Sequence, residues 1–241
     1  CPPSSPRLAA LRRGYRLADV AGEGADFDRC RRIMNWVRSR WNHGYDSIPD
    51  RSDALGLLAA AARGLRFQCS DYATLFVQCC LALGLPARRL GIRRKETDFP
   101  HGYLGNHGHS VAEAYCREPA KWVLFDADLN CHYTIAGAPA GALDLHRSWH
   151  EHRGRNVAQV LDEPRFVPIL QCPGISERQM RKNWRDFSRH RTIDYYFYLT
   201  AALAHGYART DPPPERRGTL FFAGIVPPPL AVCSGVSGPT T

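Results

Sequence analysis

The chain has 241 residues and a formal net charge of +9, with 44% hydrophobic and 23% charged residues. This composition is typical of a globular protein long enough to bury a hydrophobic core, and it excludes a disordered, collagen-like or coiled-coil chain. No stretch approaches the roughly 20 apolar residues that a membrane-spanning helix requires. A solvated basic surface is the simplest interpretation of the charge, which also favours acidic partners.

The chain has nine cysteines, an odd number. Cys79 and Cys80 are adjacent within an apolar helical run, a pattern that indicates reduced, buried thiols and not a disulfide framework. We therefore expect a cytoplasmic protein. The alternative is an exported or lipid-anchored protein attached through Cys1, which is followed by a run of Pro and Ser.

The first third of the chain predicts helices after a flexible leader over residues 1–7. Apolar residues recur at helical spacing over 26–41, and Ser52 or Asp53 can cap a second helix over 54–63. A third helix is expected to begin near Cys69 and to end before Gly84.

Strands are predicted next, over residues 87–93, 109–116 and 121–126, the last two joined by a tight turn. Beyond them we expect a loop over 132–141, a short helix over 142–152, an irregular stretch over 153–173, and helices over 176–189 and 193–207. Helices, then strands, then helices predict an α+β fold with an antiparallel sheet.

Cys69 lies where a loop enters the third predicted helix. The unpaired N–H groups and the positive end of the helix dipole favour the thiolate over the thiol at this position. The backbone N–H of Cys69 can also donate to an oxyanion. Asp71 falls in the first turn, where a carboxylate helps to cap the helix.

A nucleophilic cysteine needs a base, and the base needs a group that orients it. His109 opens one predicted strand and Asp126 ends the next. Because the two strands form an antiparallel hairpin, His109 and Asp126 are expected to meet at one edge of the sheet. That is the arrangement that a Cys-His-Asp triad requires.

These residues resemble the transglutaminase-like superfamily over residues 53–133. The motifs that carry the resemblance are Cys69 at a helix start, Ala82-Leu83-Gly84-Leu85-Pro86-Ala87-Arg88, His109 with Glu113, and Trp122-Val123-Leu124-Phe125-Asp126. The resemblance implies a papain-like core in which the helix that bears the nucleophile packs against an antiparallel sheet. We divide the chain into a flexible leader and helical start over 1–25, a catalytic core over 26–135, a helical extension over 136–210, and a Pro-rich extended tail over 211–241.

The resemblance also implies acyl transfer through a thioester at Cys69, to water or to an amine, as in an amidase, a protease or a transamidase. His109 would be the base and Asp126 its orienter, with no cofactor and no metal. One alternative is a biosynthetic acyltransferase or cyclase that acts on a thioester bound to an acidic carrier protein. A second alternative is a non-catalytic protein-binding module.

Other residues are candidates for supporting roles. Gln68 and Trp41 are candidates for the second oxyanion donor, although Trp41 is equally well explained as core. Tyr72, His107 and Asp128 are candidates for the substrate cleft, and Asp128 could replace Asp126 as orienter because it lies two residues further on.

Two further clusters have simpler explanations. His146, His150 and His152 are interpreted as surface histidines, since no matching metal ligand is evident. Basic and aromatic residues alternate over 178–191, but no nucleic-acid motif accompanies them. We therefore expect an amide- or thioester-bearing substrate, such as a peptide, and no nucleic acid.

Overall fold

The computed structural model describes residues 5–41, 43–93, 108–152 and 154–162, together with the backbone of 198–202. These residues form helices α1 to α6 and strands β1 to β7. The helices are Pro6–Gly14, Leu17–Ala21, Asp26–Arg38, Ala54–Ala61, Cys69–Ala82 and Ala142–His152. The strands are Ala87–Arg93, Gly108–Cys116, Lys121–Asp126, Cys131–Ile135, Ala138–Pro139, Val157–Leu161 and Tyr198–Ala202. No helix in these parts of the chain is long and apolar enough to cross a membrane.

The strands form one antiparallel sheet in the order β5-β4-β3-β2-β1-β7, and β6 also pairs with β4. The hairpin of β2 and β3 has the register Ala112↔Phe125 and Cys116↔Lys121. The expected α+β fold with an antiparallel sheet is therefore confirmed.

Alternate residues of the central strands face two apolar layers. Ala112, Ala114 and Phe125 are buried in the larger layer, which contains the residues of α1 to α5. Val111 and Leu124 are buried in the smaller layer, where they join residues of β4 and α6. This alternation follows from the two-residue period of a strand, and it places helices against both faces of the sheet.

Helix α5 is buried along most of its length and packs against β1 and β2. Its residues from Asp71 to Cys80 are all buried, including the polar Asp71, Thr74 and Gln78, which agrees with the largely apolar sequence of this helix. Cys79 and Cys80 are free, fully buried thiols. Gly84 then takes a positive φ of 74°, a conformation that glycine adopts without strain, and the chain turns into β1.

A buried ion pair links two of the motifs that carry the family resemblance. Nε of Arg88 donates to Oε2 of Glu113 at 2.9 Å, and the backbone N–H of Ala142 donates to Oε1 of the same carboxylate at 2.7 Å. The guanidinium of Arg88 also lies over the ring of Trp122, 4.2 Å from its centroid. Glu113 thereby ties β1, β2 and the start of α6 together.

Three predictions of secondary structure are wrong. Residues 198–202 form a strand that pairs with β1, where a helix over 193–207 was expected. The loop predicted over 132–141 contains β4 and β5, and the irregular stretch over 153–173 contains β6. Pairing with a strand that is not adjacent in sequence decides the conformation of β6 and β7, whereas β4 and β5 are short strands of successive hairpins within the predicted loop.

The remaining differences concern the two ends of the chain. The leader is shorter than expected, because α1 already begins at Pro6 and α2 follows within the predicted segment 1–25. The predicted helix over 176–189, the basic run over 178–191 and the tail over 211–241 lie outside the described residues.

Candidate active site

The cap of helix α5 holds Cys69 in place. Cys69 is the first residue of the helix and is partly exposed. The carboxylate of Asp71 accepts the backbone N–H of Gln68 at 3.1 Å and the Nε–H of Arg51 at 2.9 Å. The guanidinium of Arg51 also interacts electrostatically with Cys69. The hydrogen bond to Asp71, together with the charges of Asp71 and Cys69, raises the pKa of Arg51. Arg51 therefore adds positive charge beside the thiol.

The β2–β3 hairpin brings a histidine and a carboxylate together. The register of the hairpin puts the end of β3 beside the start of β2. Nε2 of His109 lies 2.7 Å from Oδ2 of Asp126, and Oδ1 of Asp126 accepts the backbone N–H of Leu129 at 3.0 Å. Asp126 is fully buried, and these two contacts give each of its carboxylate oxygens a partner within the protein. This contact fixes the orientation of the imidazole.

The thiol, the imidazole and a second carboxylate form one cluster. One ligand atom each of Cys69, His109 and Asp128 lie within 4.8 Å of one another. Asp128 is only 4% exposed and follows β3 in the turn that leads to β4. Both candidate orienters therefore lie close to His109, but Asp126 makes the hydrogen bond to the ring.

A second histidine, which the sequence analysis did not identify, completes the surroundings of Asp128. Nδ1 of His43 lies 2.8 Å from Oδ1 of Asp128. The loop that carries His43 is held by the backbone N–H of Gly44, which donates to the carbonyl of Phe67 at 3.0 Å. A Cβ on Gly44 would lie 2.5 Å from Cβ of Arg66, so only glycine allows this close approach.

The ionisation of His109 and Asp128 reflects their surroundings. Burial lowers the pKa of His109, but the charge and hydrogen bond of Asp126, together with Cys69, outweigh this and raise the pKa well above its ordinary value of 6.5. Burial raises the pKa of Asp128, but the hydrogen bond and charge of His43 outweigh it, with further contributions from His109 and Arg38, and the pKa is lowered. Near neutral pH the cluster therefore favours an imidazolium at His109 and a carboxylate at Asp128.

The two candidate oxyanion donors differ in what they contact. The backbone N–H of Gln68 is engaged by Asp71, and this geometry argues against a role for it as a second donor. The indole Nε1 of Trp41 is buried and has no hydrogen-bond partner among the described residues. The Trp41 ring packs against Phe67 and Tyr72, with ring centroids 5.3 Å and 4.7 Å away. Trp41 thus belongs to the core and also carries a buried donor.

Tyr72 is not a residue of an open cleft. Its side chain is fully buried, and its hydroxyl donates to the carbonyl of Trp41 at 2.6 Å and accepts from Nη1 of Arg38 at 2.9 Å. The expectation that Tyr72 lines the substrate cleft is therefore wrong, because the helix periodicity of α5 turns this side chain into the core.

The other histidines of interest lie elsewhere. His107 lies outside the described residues. His146 is buried with Ala142 and Leu145 on one side of α6, so the expectation of a surface histidine is wrong at this position. His152 is exposed and lies near Glu151.

The fold and this cluster define a papain-like class, in which a cysteine at a helix start meets a histidine from an antiparallel sheet. Residues 15–127 match the model of the transglutaminase-like superfamily. The chain therefore contains a transglutaminase-like core, a type of domain that favours a cysteine-dependent enzyme.

Solved structures offer weaker likenesses. A candidate cysteine protease from Cytophaga hutchinsonii is 16% identical with a TM-score of 0.39, over 65% of this chain and 50% of that one. A transglutaminase from red sea bream is 11% identical with a TM-score of 0.42, over 86% of this chain and 36% of that one. The chain thus spans half or less of the length of these structures, and the assignment depends on the family match. No curated protein matches the sequence.

Proposed function

We propose that the chain is a cysteine-dependent acyl-transfer enzyme that forms a thioester at Cys69 and passes the acyl group to water or to an amine. The observation that carries the proposal is the position of His109 between a thiol and a carboxylate. Nε2 of His109 lies 2.7 Å from Oδ2 of Asp126, and a ring nitrogen of His109 lies within 4.8 Å of Sγ of Cys69. A nucleophile, a base and an orienter in this order are the parts that thioester chemistry needs.

In the acylation step, Sγ of Cys69 attacks the carbonyl carbon of an amide, and His109 holds the proton that the thiol has lost. With Nε2 engaged by Asp126, this proton resides on Nδ1 of the imidazolium. The carbon–nitrogen bond of the tetrahedral intermediate then breaks as His109 gives the proton to the leaving amine. The products of this step are an amine and the Cys69 thioester.

In the second step, a water or an amine attacks the thioester, and His109 takes the proton of the incoming nucleophile. The carbon–sulfur bond breaks, and Cys69 leaves as a thiolate beside the regenerated imidazolium. The positive charge of Arg51 supports the thiolate in both steps, since its guanidinium interacts with Cys69. Asp126 stabilises the imidazolium whenever it forms and does not itself take the proton.

The proposed acyl donor is a peptide amide, in the side chain or the main chain. A thioester on an acidic carrier protein is a second candidate, which the net charge of +9 favours. Both donors use the same first intermediate, so one assay that detects the Cys69 thioester by mass serves for both.

Mass mapping after limited iodoacetamide tests the proposal, together with turnover of small amides and thioesters. Cys69 is expected to react first among the thiols, and Cys69→Ala is expected to abolish turnover. His109→Ala is expected to lower turnover by about 10²–10⁴-fold. His152→Ala is the matched control, because this exposed histidine lies outside the cluster. An inert Cys69, or full turnover in His109→Ala, would overturn the proposal.

A further inference from the structure

We propose that Cys69, His109 and Asp128 also bind a zinc ion, and that zinc bound there blocks the thiol reversibly. In the part of the chain that the structure describes, these three are the one set of Cys, His and acidic side chains whose ligand atoms all lie within 4.8 Å of one another. Thiolate sulfur, imidazole nitrogen and carboxylate oxygen are the ligands that zinc takes in proteins. Bond lengths of about 2.0–2.3 Å put the ligand atoms of one zinc ion about 3.5 Å apart. The ligand atoms therefore have to approach one another by only about 1 Å when the ion binds.

The groups behind two of the ligands have the arrangement that is typical of metal sites. A histidine ligand usually donates its second ring N–H to a carboxylate, and a carboxylate ligand is usually hydrogen-bonded in turn. Here Nε2 of His109 lies 2.7 Å from Asp126, and Oδ1 of Asp128 lies 2.8 Å from Nδ1 of His43. Nδ1 of His109 and Oδ2 of Asp128 are therefore the atoms that would meet the ion.

The charges of the cluster also fit a divalent cation. Sulfur and carboxylate oxygen are anionic ligand types, which suits a divalent cation, and the ion would take the place of the proton on Nδ1 of His109. Asp128 is 4% exposed, so its charge is held in a site where water screens it weakly. Three protein ligands leave one position of a tetrahedral zinc for water.

Binding would stop the proposed reaction, because the sulfur lone pair that attacks the carbonyl would be shared with zinc. The binding itself does not depend on the proposed acyl transfer, and only its effect as an inhibitor rests on that function. The two ideas can therefore fail separately.

The first test uses cobalt as a spectroscopic probe for zinc in the full chain, after treatment with a chelator. One equivalent of Co²⁺ is expected to give a thiolate-to-cobalt charge-transfer band that one equivalent of Zn²⁺ removes. Cys69→Ser is expected to lose the band, and this variant changes one partly exposed atom at a helix start, so it is expected to fold. Glu151→Gln is the matched carboxylate control and is expected to keep the band. A band that survives in Cys69→Ser, or no band in the parent protein, overturns the proposal.

The second test asks whether Asp128 is a ligand. Zinc is expected to protect Cys69 from iodoacetamide, and Asp128→Asn is expected to raise the zinc concentration for half protection by more than 100-fold. His43→Gln, which removes only the group behind the ligand, is expected to raise it by about 10–100-fold. Continued resistance of the buried Cys79 and Cys80 to iodoacetamide in the metal-free Asp128→Asn protein shows that the fold is kept. Equal protection in the parent and in Asp128→Asn overturns the assignment of Asp128.

The outcomes separate this site from the proposed function. If Cys69 binds cobalt but no substrate is turned over, zinc binding stands and acyl transfer fails. If substrates are turned over and zinc neither binds nor protects, acyl transfer stands and the zinc site fails.

Discussion

Nδ1 of His43 lies 2.8 Å from Oδ1 of Asp128, and this contact joins the loop after α3 to the turn after β3. It keeps a buried carboxylate ionised within a few ångströms of the thiol of Cys69. The structure thus surrounds one cysteine and one histidine with two carboxylates, Asp126 and Asp128, each of which has its own partner.

The ionisation of Asp128 predicts a specific dependence of stability on pH. Burial raises the pKa of Asp128, but the hydrogen bond and the charge of His43 outweigh burial. The pKa is therefore lowered in the folded protein from its ordinary value of 3.8. Such a group contributes stability that is present above the ordinary pKa and is lost as the pH falls through the folded pKa. Asp128→Asn is therefore expected to reduce the slope of unfolding free energy against pH below about pH 4, by up to one proton. Urea unfolding at a series of pH values measures this slope, and an unchanged slope would contradict the lowered pKa of Asp128.

The pH profile of turnover is expected to follow His109, whose pKa is raised whereas that of Asp128 is lowered. Because Asp126 and Cys69 raise the pKa of His109 well above 6.5, the imidazolium persists through neutral pH and is lost only as the pH rises further. We expect the alkaline limb of kcat/KM to lie well above pH 6.5 and to move to lower pH in Asp126→Asn. An alkaline limb that stays in place in this variant would show that another group sets the imidazolium charge.

The cap of α5 gives a prediction about the reactivity of the thiol. Arg51→Met removes the positive charge near Cys69 and leaves Asp71 with its cap hydrogen bond to Gln68 alone. We expect slower alkylation of Cys69 at neutral pH and a loss of up to about 1 kcal/mol in unfolding free energy from the lost ion pair with Asp71. Arg63→Met is the control, since Arg63 is exposed and donates to the carbonyl of Ala59 in the helix that it follows. Equal alkylation rates in the two variants would remove Arg51 from the site.

Much of this site follows from the sequence, because its parts are local or lie in adjacent strands. Cys69 begins α5 as the loop-to-helix pattern predicts, and a tight turn was sufficient to place His109 beside Asp126. His43 could not be found in this way. Its position depends on hydrogen bonds between residues 44–46 and 66–67, and on the absence of a side chain at Gly44. Neither feature leaves a periodic pattern in the sequence.

The sheet shows the same division. The β2–β3 hairpin is encoded by neighbouring residues, whereas β7 is recognised only through its pairing with β1, more than a hundred residues earlier. The aromatic, apolar sequence around residue 198 is compatible with a helix or a strand, and the edge of the sheet decides between them.

The buried pair of Arg88 and Glu113 predicts a large effect on stability. Glu113→Gln leaves the guanidinium of Arg88 without its charged partner in the protein interior, and loss of one partner of a buried pair costs about 3–5 kcal/mol. The double variant Arg88→Met/Glu113→Gln is expected to be more stable than Glu113→Gln alone, because it no longer buries a guanidinium whose carboxylate has been removed. Urea unfolding of the single and double variants tests this, and additive losses would contradict it.

Trp41 allows the oxyanion role to be separated from the core role. Its Nε1 is buried and has no partner among the described residues, while its ring packs against Phe67 and Tyr72. Trp41→Phe keeps an aromatic ring in the core and removes the N–H. If Nε1 donates to the oxyanion, the variant is expected to lose about 10²–10³-fold in kcat, the usual cost of one such donor. Alkylation of Cys69 by iodoacetamide forms no oxyanion, so its rate is expected to stay the same. A matched fall in both rates would instead show that Trp41 acts on the thiol through packing, and an unchanged kcat would leave the backbone N–H of Cys69 as the donor to examine next.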